Sequence, residues 1–375
     1  MEANVVKIPE EKAIAQAAAF LTDKVMQTPC IRWETDKKQE LLGQKTEVYV
    51  KLELFQPGGS FKPRGALMNM QQMDQAALEK GVTAVSAGNH AIAVAVAARS
   101  MGTHAKVVMP NNANAYRVNT CKKLGAEVVL VENVKAAFDM VEHIRDTEGR
   151  TFIHPFEGEQ TILGTATVGY EFAKQAPNLD AVLLPIGGGG LAAGMAAAFH
   201  RLQPGCELIG VEPYGADSMF RSLAAGSPQS IEKVATIADS LGAPFALPYT
   251  FGVCQQLLAE VVRVEDELLR RTMELMFTDM KIAPEPACAA SLSALLGPLR
   301  ERLAGKKLGV IACGSNIDLD TFHNYLRSWQ KNPRATTSGD QIKKDYYYSR
   351  AVGEGVEPSQ AELEPVFSTV LNSFV

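Results

Sequence analysis

Short runs of apolar residues alternate along this chain with longer stretches in which apolar residues recur at helical spacing. The runs at 179–186 and 308–313 are apolar almost throughout. Such runs are typical of strands that helices cover on both faces of a sheet. Because helical stretches of about ten to fifteen residues separate the runs, the pattern predicts βαβ units and a mainly parallel sheet. The sequence therefore predicts an α/β fold.

The same pattern places the individual elements. Strands are predicted over residues 48–54, 82–86, 104–110, 126–132, 150–155, 179–186, 206–211 and 308–313, and helices over 11–25, 64–73, 91–101, 116–124, 134–145, 164–174, 191–202, 265–280 and 288–303. In the first strand the polar residues Lys51 and Glu53 alternate with apolar ones, which predicts one buried face and one exposed face. The stretch after Trp329 is polar and rich in turn residues, so we interpret it as an extension.

The first strand leads into a lysine at a rigid junction. Glycines at 58 and 59 break the strand, and Pro63 suits the first position of a helix because it has no N–H to lose. A proline also disfavours helical backbone geometry at the residue before it, so we expect Lys62 to be non-helical. Taken alone, Lys62 is better explained as an ordinary exposed lysine beside a glycine turn.

A second signal is the run Gly187, Gly188, Gly189 and Gly190, between a predicted buried strand and a predicted helix. Four glycines allow successive backbone N–H groups to point into one concavity at the positive end of the helix dipole. This predicts a phosphate site, although a tight turn that only lets the helix pack is the alternative. The spaced GxGxxG form is absent, which makes a dinucleotide site the weaker interpretation.

The third signal, again between a strand and a helix, is Ser86, Ala87, Gly88, Asn89 and His90. Its amides and the serine hydroxyl can hold a carboxylate at a helix N-terminus, and the asparagine offers a donor and an acceptor. Alone, this stretch is equally explained as a capping turn.

Composition and charge narrow the function classes. The chain has 375 residues, of which 46% are apolar and 21% charged, and its net charge is −5. These values predict a globular protein without nucleic-acid or membrane partners. Six scattered cysteines without CxxC spacing argue against a zinc site and against a disulfide scaffold. With no signal-peptide layout at the N-terminus, we expect a cytoplasmic protein.

Together these stretches resemble the fold type II (tryptophan synthase β-like) enzymes that use pyridoxal 5'-phosphate (PLP), and most closely the threonine/serine dehydratase and serine racemase branch. The resemblance covers about residues 28–325 and rests on GSFKPRGA at 59–66, SAGNH at 86–90, GGGG at 187–190, VEP at 211–213 and CGSN at 313–316. It implies two domains, each a mainly parallel twisted sheet flanked by helices. A discontinuous large PLP-binding domain would take residues 1–75 and 158–330, a small domain 76–157, and an extension 331–375. It also implies a homo-oligomer, dimer or tetramer.

The resemblance further implies residue roles. Lys62 would be the catalytic residue and the covalent link to the cofactor. The remaining cofactor contacts would be Phe61, Asn89, Gly187, Gly188, Gly189, Gly190, Leu191, Glu285 and Cys313. The substrate would contact Ser60, Ser86, Ala87, Gly88, Asn89 and His90.

Two of these positions bear on the reaction. The resemblance places Cys313 against the pyridine nitrogen, and a thiol cannot keep that nitrogen protonated as an aspartate could. This favours loss of a leaving group from the β carbon over transamination. Racemases of the family have a serine where this chain has Ala87, and alanine cannot transfer a proton, so dehydration is favoured over racemisation.

Two stretches depart from the family pattern. A divalent-cation site of some relatives would fall on Glu212, Ala216 and Ser218, with Asp217 one place off, so a metal is doubtful and Glu212 is as well explained as a helix-capping acid. The stretch 239–244 differs from the usual dehydratase sequence, which suggests a less common β-hydroxy amino acid as substrate.

The sequence thus predicts a PLP-dependent ammonia-lyase that converts a small-molecule β-hydroxy amino acid, such as L-threonine or L-serine, to a 2-oxo acid and ammonia. An amino-acid racemase or a β-replacement synthase is the alternative within the same fold. A nucleotide-dependent oxidoreductase and a non-catalytic PLP or amino-acid binding protein are the alternatives from other classes.

Overall fold

A computed structural model of the chain describes residues 6–331. The strands in this range are β1 (Cys30–Arg32), β2 (Glu47–Lys51), β3 (Val82–Val85), β4 (Ala105–Pro110), β5 (Glu127–Val131), β6 (Thr151–Phe152), β7 (Ala181–Pro185), β8 (Glu207–Pro213), β9 (Glu260–Val264) and β10 (Lys307–Ile311). The α-helices in this range are α1 (Glu11–Leu21), α2 (Asp36–Leu42), α3 (Pro63–Gln71), α4 (Gln75–Lys80), α5 (Asn89–Ser100), α6 (Ala115–Lys123), α7 (Val134–Glu148), α8 (Glu159–Gln175), α9 (Gly190–Leu202), α10 (Ser218–Ala225), α11 (Pro248–Leu257), α12 (Asp266–Thr278), α13 (Pro286–Leu296) and α14 (Leu319–Lys331). Apart from its first residue, the predicted extension over 331–375 lies outside the described residues.

The strands form two sheets. The larger has the order β1-β2-β10-β7-β8-β9, and all its pairs are parallel except β1 with β2. The smaller has the order β5-β4-β3-β6 and is parallel throughout. The predicted α/β fold with mainly parallel sheets is therefore confirmed. The smaller sheet uses only strands between Val82 and Phe152, while the predicted division into a large and a small domain stays a prediction.

The helix α5 lies in the core of the smaller sheet. Every residue from Asn89 to Ala98 is buried, and Ile92 and Val94 belong to the same cluster as apolar residues of α3, β3 and β4. A helix that is apolar on all sides, as this one is, becomes buried on all sides. This core connects the start of α5 with α3, the helix that follows Lys62.

The helix α8 holds two parts of the chain close together. Gly164 of α8 packs against the backbone of Arg64 in α3, and Gly194 of α9 packs against the backbone of α8, so a side chain at either glycine would collide. The hydroxyl of Thr165 also donates to the carbonyl oxygen of Gly190 at 2.7 Å. The beginnings of α3 and α9 therefore lie beside α8, which brings Lys62 and the glycine run near each other.

Two local predictions about the first junction are wrong. The strand β2 ends at Lys51, and both Lys51 and Glu53 are fully buried, so the polar positions do not face solvent. Lys62 has helical backbone angles, with φ −61° and ψ −27°. The N–H of Arg64 donates to the carbonyl oxygen of Phe61 at 3.2 Å, which closes a turn across Lys62 and Pro63. Tertiary packing therefore overrides the preference imposed by the proline.

The predicted helices and strands occur, with shifted ends. The helix α8 begins at Glu159 rather than at residue 164. Its first turn is polar and does not share the apolar periodicity on which the prediction was based. The strand predicted over 150–155 is reduced to β6, since only Thr151 and Phe152 pair with β3.

Candidate active site

A cavity of about 340 Å³ brings together most of the predicted site residues. Its volume lies in the range of small-molecule sites. The predicted residues that line it are Phe61, Lys62, Ser86, Ala87, Gly88, Asn89, His90, Gly187, Gly188, Gly189, Gly190, Leu191, Glu285 and Cys313.

Ser60, Glu212, Ala216 and Ser218 are not among the residues that line the cavity. Ser60 is fully buried, and its hydroxyl has no hydrogen-bond partner in the part of the chain that the structure describes. The predicted contact of this serine with substrate therefore stays a prediction, and it would need the hydroxyl to become accessible from the cavity.

The amine of Lys62 is held in the cavity without an acidic partner. It donates to the carbonyl oxygen of Pro155 at 3.1 Å, and no carboxylate lies within ion-pair distance among residues 6–331. Burial lowers the pKa of Lys62 to about 8, although Cys313 and Glu285 partly oppose that shift. This amine therefore loses its proton more readily than that of an ordinary lysine, as a nucleophile and general base requires.

The glycine run forms a cradle for an anion. Within the described residues, the backbone N–H groups of 187–191 donate no hydrogen bond, and they lie at the N-terminus of α9, where the helix dipole is positive. Gly189 has φ 92°, in the left-handed region that favours glycine. A side chain on Gly188 would overlap the ring of Phe156. The residues present therefore fit the phosphate of PLP.

The second predicted loop lies at the N-terminus of α5. The hydroxyl of Ser86 accepts from the N–H of Gly88 at 3.0 Å, which fixes the turn before the helix begins at Asn89. The Nε2 atom of His90 lies 2.8 Å from the carbonyl oxygen of Ile153, to which it donates. Burial and the charge of Lys62 lower the pKa of His90 to about 3, so the ring is neutral. The side chain of His90 thus anchors the loop. The N–H groups of Ser86 and Gly88 donate to the carbonyl oxygen of Val108 and to the hydroxyl of Ser86, so within the described residues the amides left for a ligand are those of Ala87, Asn89 and His90.

Asn89 lies at the centre of a hydrogen-bond network. Its side-chain amide donates to Glu285 at 2.6 Å and to Ser240 at 3.2 Å. Its oxygen accepts from the amide of Asn316 at 2.7 Å. Any hydrogen bond from Asn89 to the cofactor would therefore replace or share one of these.

Cys313 is present as a neutral thiol. Its Sγ donates to the carbonyl oxygen of Ala287 at 3.6 Å. A hydrogen bond with Cys288 and burial both raise the pKa of the Cys313 thiol. The Cys313 side chain, which lines the cavity, is therefore uncharged. This agrees with the uncharged partner for the pyridine nitrogen that the sequence predicts.

The structure adds residues to which the sequence assigned no role. Arg117, Asp239, Ser240 and His154 line the cavity, and Asn316 connects two of its walls through hydrogen bonds to Asn89 and to Gly58. The unusual stretch 239–244 was a signal for Asp239 and Ser240. No sequence signal pointed to Arg117, because a single arginine on a polar helix is common.

The doubtful metal position is occupied by a helix cap. The carboxylate of Glu212 accepts from the backbone N–H groups of Met219 and Phe220 at 2.9 and 2.7 Å, in the first turn of α10. Asp217 forms ion pairs with Arg221 and Arg263. Among residues 6–331 no group of three or more histidine, cysteine or acidic side chains is placed to hold a metal ion. Burial raises the pKa of Glu212 to about 8.

No helix within the described range has both the length and the apolar character needed to cross a membrane. The cytoplasmic location and the homo-oligomeric state stay predictions.

Comparison with known proteins gives a consistent assignment. The family model described as pyridoxal-phosphate dependent enzyme matches residues 21–314. The chain is 48% identical to phenylserine dehydratase from Ralstonia pickettii, over 85% of this chain and 97% of that enzyme. It is 34% identical to L-threonine ammonia-lyase from Thermotoga maritima, over 75% of this chain and 70% of that enzyme. The solved structure of maize serine racemase matches with a TM-score of 0.80 and 31% identity, covering 87% of this chain and 99% of the racemase.

These similarities confirm the predicted fold type, the predicted cofactor PLP and the predicted enzyme class, a PLP-dependent ammonia-lyase of the threonine/serine dehydratase type. Most of the predicted site residues line one cavity, and the role assigned to each of them stays a prediction. The chain belongs to the family of pyridoxal-phosphate dependent enzymes, in its fold type II branch.

Proposed function

We propose that this enzyme dehydrates a β-hydroxy amino acid whose side chain carries an aromatic ring, releasing the corresponding 2-oxo acid and ammonia. The proposal narrows the confirmed class, which also includes enzymes for L-threonine and serine. It agrees with the earlier interpretation of residues 239–244, since these residues line the cavity.

One observation carries the choice of side chain. Val134 and Phe138, one turn apart on the first turns of α7, line the cavity although they are 59% and 45% exposed. Apolar side chains of this size that remain exposed in a concave site are typical of a surface that a ligand covers. Deeper in the cavity the rings of Phe156 and Phe245 lie 6.1 Å apart. A phenyl ring fits such a lining better than the methyl group of threonine does. The similarity to phenylserine dehydratase supports the same side chain.

The chain's own residues account for the reaction as follows. The amides of 187–191 would hold the cofactor phosphate, and the amides of 86–90 would hold the substrate carboxylate. The unprotonated amine of Lys62 would take the proton from the substrate's α carbon. When bound, PLP supplies the electron sink for breaking bonds at that carbon. The neutral thiol of Cys313 would leave the ring nitrogen unprotonated, which favours departure of the β-hydroxyl.

Ala87 lines the cavity and has no group that can carry a proton. With Lys62 as the base on one face of the α carbon, we expect elimination without appreciable racemisation. Chiral chromatography of unreacted substrate tests this, and rapid appearance of the opposite enantiomer would contradict it.

A substrate panel read by 2-oxo acid release tests the aromatic side chain. We expect kcat/KM for 3-phenylserine to exceed that for L-threonine by about 10- to 100-fold, because burying a phenyl ring contributes about 1.5–3 kcal/mol. Phe138→Ala should lower the value for phenylserine several-fold and leave that for threonine unchanged.

Phe277→Ala is the matched control, since Phe277 is 48% exposed on α12 and does not line the cavity. It should retain the native preference. Equal or better use of L-threonine by the native enzyme would overturn the aromatic proposal and leave the ammonia-lyase class standing.

A further inference from the structure

Arg117 is a nearly buried arginine on α6 that lines the cavity. Its Nε donates to the carbonyl oxygen of Asn316 at 3.0 Å. Its Nη1 and Nη2 both donate to the carboxylate of Asp239, the second at 3.2 Å. The guanidinium is thus fixed in the fork geometry that arginine, but not lysine, can offer.

This fixed guanidinium lies against the loop at the N-terminus of α5. A side-chain carbon built on Gly88 would lie 3.5 Å from Nη1 of Arg117 and 3.9 Å from its Cζ. The guanidinium therefore lies beside the loop 86–90, at a separation that leaves room for a side-chain carbon between Gly88 and Arg117.

The pair with Asp239 does not neutralise the arginine evenly. The Arg117 side chain is 9% exposed, whereas that of Asp239 is 55% exposed. Water screens the aspartate more strongly than the buried guanidinium, so we expect the pair to leave a residual positive charge beside the loop. The N-terminus of α5 adds to this field.

We propose that Arg117 is a positioning residue for the α-carboxylate of the substrate, which supports the loop 86–90 and places a fixed positive charge beside its amides. The inference rests on the cavity being the amino-acid site, and it is independent of the substrate's side chain. Asp239 and the Asn316 carbonyl hold the guanidinium in its orientation.

A spectroscopic titration of the holoenzyme separates a carboxylate effect from a general structural one. L-Alanine and L-alaninamide differ in the carboxylate, and neither carries a β-hydroxyl or a ring. We expect Arg117→Met to weaken binding of alanine about 10- to 100-fold, the loss typical of a charged hydrogen-bonding group, and to leave alaninamide binding within about threefold. Arg117→Lys should recover part of the alanine affinity, because it keeps the charge without the fork.

Asp239→Asn should not weaken alanine binding as Arg117→Met does. Removing this carboxylate leaves the positive charge of Arg117, so we expect alanine binding that is unchanged or tighter. Arg302→Met is the control, because Arg302 pairs with Glu207 and Glu260 away from the cavity, and it should bind both ligands as the native enzyme does.

Equal weakening of alanine and alaninamide in Arg117→Met and Arg117→Lys would overturn the proposal, since Arg117 would then only tie α6 to the turn at Asp239. Equal weakening of alanine in Asp239→Asn and Arg117→Met would overturn it as well. An enzyme that prefers threonine to phenylserine and still shows the expected titration would refute the aromatic side chain and retain the role of Arg117.

Discussion

Lys62 and Arg64 lie two residues apart and are both largely removed from water, yet their surroundings are opposite. Arg64 is fully buried among carboxylates, whereas Lys62 faces a cavity and donates to one carbonyl oxygen. The comparison shows how one short segment provides both a rigid support and a reactive group.

Arg64 belongs to a buried charge cluster, which we define as Lys51, Glu53, Arg64 and Glu171. The guanidinium donates to both carboxylates, with distances of 2.7–3.0 Å, and its remaining hydrogens reach the hydroxyl of Thr167 and the carbonyl oxygen of Met26. The Lys51 amine uses its three donors on Thr28, Glu171 and Gln175. The cluster has two positive and two negative side chains, and the N–H donors of its lysine and arginine are hydrogen-bonded. Charge balance and satisfied hydrogen bonds are what offset the cost of removing such groups from water.

The pKa values follow this difference. Burial alone would lower the pKa of Arg64 and raise that of Glu53, but their mutual attraction reverses both shifts. At the cavity burial prevails, so that it lowers the pKa of Lys62 and raises that of Glu285. Lys51 is the exception in the cluster, because burial lowers its pKa despite Glu171. Arg64 thus keeps its proton because it is paired with two carboxylates, whereas Lys62, which has no such partner, loses its proton more readily.

The largest effect is expected for Lys62→Ala. Turnover measured by 2-oxo acid release should fall about 10⁴-fold or more, because the variant lacks both the proposed base and the proposed cofactor link. Unfolding in urea should be unchanged, since no ion pair is lost. Lys37→Ala, which removes an exposed lysine paired with Glu40, should remain active. Full turnover in the Lys62 variant without added amines would be incompatible with its assigned role.

Next in size is the effect of breaking the buried charge cluster. Glu53→Gln leaves the cluster with two positive side chains and only one carboxylate, Glu171, so we expect a loss of about 3–5 kcal/mol in the free energy of unfolding. Glu207→Gln, at a partly exposed ion pair with Arg302, should cost no more than about 1 kcal/mol. Similar losses in the two variants would show that the cluster contributes nothing beyond a surface pair.

A smaller effect is expected for Gly188→Ala. The added methyl group overlaps the ring of Phe156, and overpacking of this kind costs about 1–3 kcal/mol. PLP affinity, measured by fluorescence titration of the apoenzyme, should weaken by about 10- to 100-fold. Gly205→Ala is the control, because nothing lies within 4 Å of a side chain there. Native affinity in both variants would mean that the glycine run serves packing alone.

The pH dependence of cofactor attachment should show the smallest effect. Only the unprotonated amine of Lys62 is a nucleophile, and its pKa is lowered from 10.5 to about 8. The rate at which PLP recombines with the apoenzyme, followed by absorbance, should therefore rise about tenfold per pH unit below that value and level off above it. A rate still rising steeply at pH 9.5 would indicate an ordinary lysine.

The fold class and three segments of the candidate site could be predicted from the sequence alone. Apolar runs separated by helical stretches predict the parallel sheets, because a strand covered on both faces has no polar side to show. Lys62, the glycine run and the loop 86–90 could also be predicted, because each lies between a strand and a helix, and ligands of α/β proteins bind where parallel strands end.

The features that could not be predicted from the sequence depend on pairs of residues that lie far apart in the chain. The alternation in β2 predicted an exposed polar face, but Lys51 and Glu53 are buried because Arg64 and Glu171 come from other elements to neutralise them. Arg117 similarly meets its partners Asp239 and Asn316 more than a hundred residues away. The sequence around a charged residue does not show whether water or an opposite charge will surround its side chain. The surroundings depend on how distant segments pack in the folded protein.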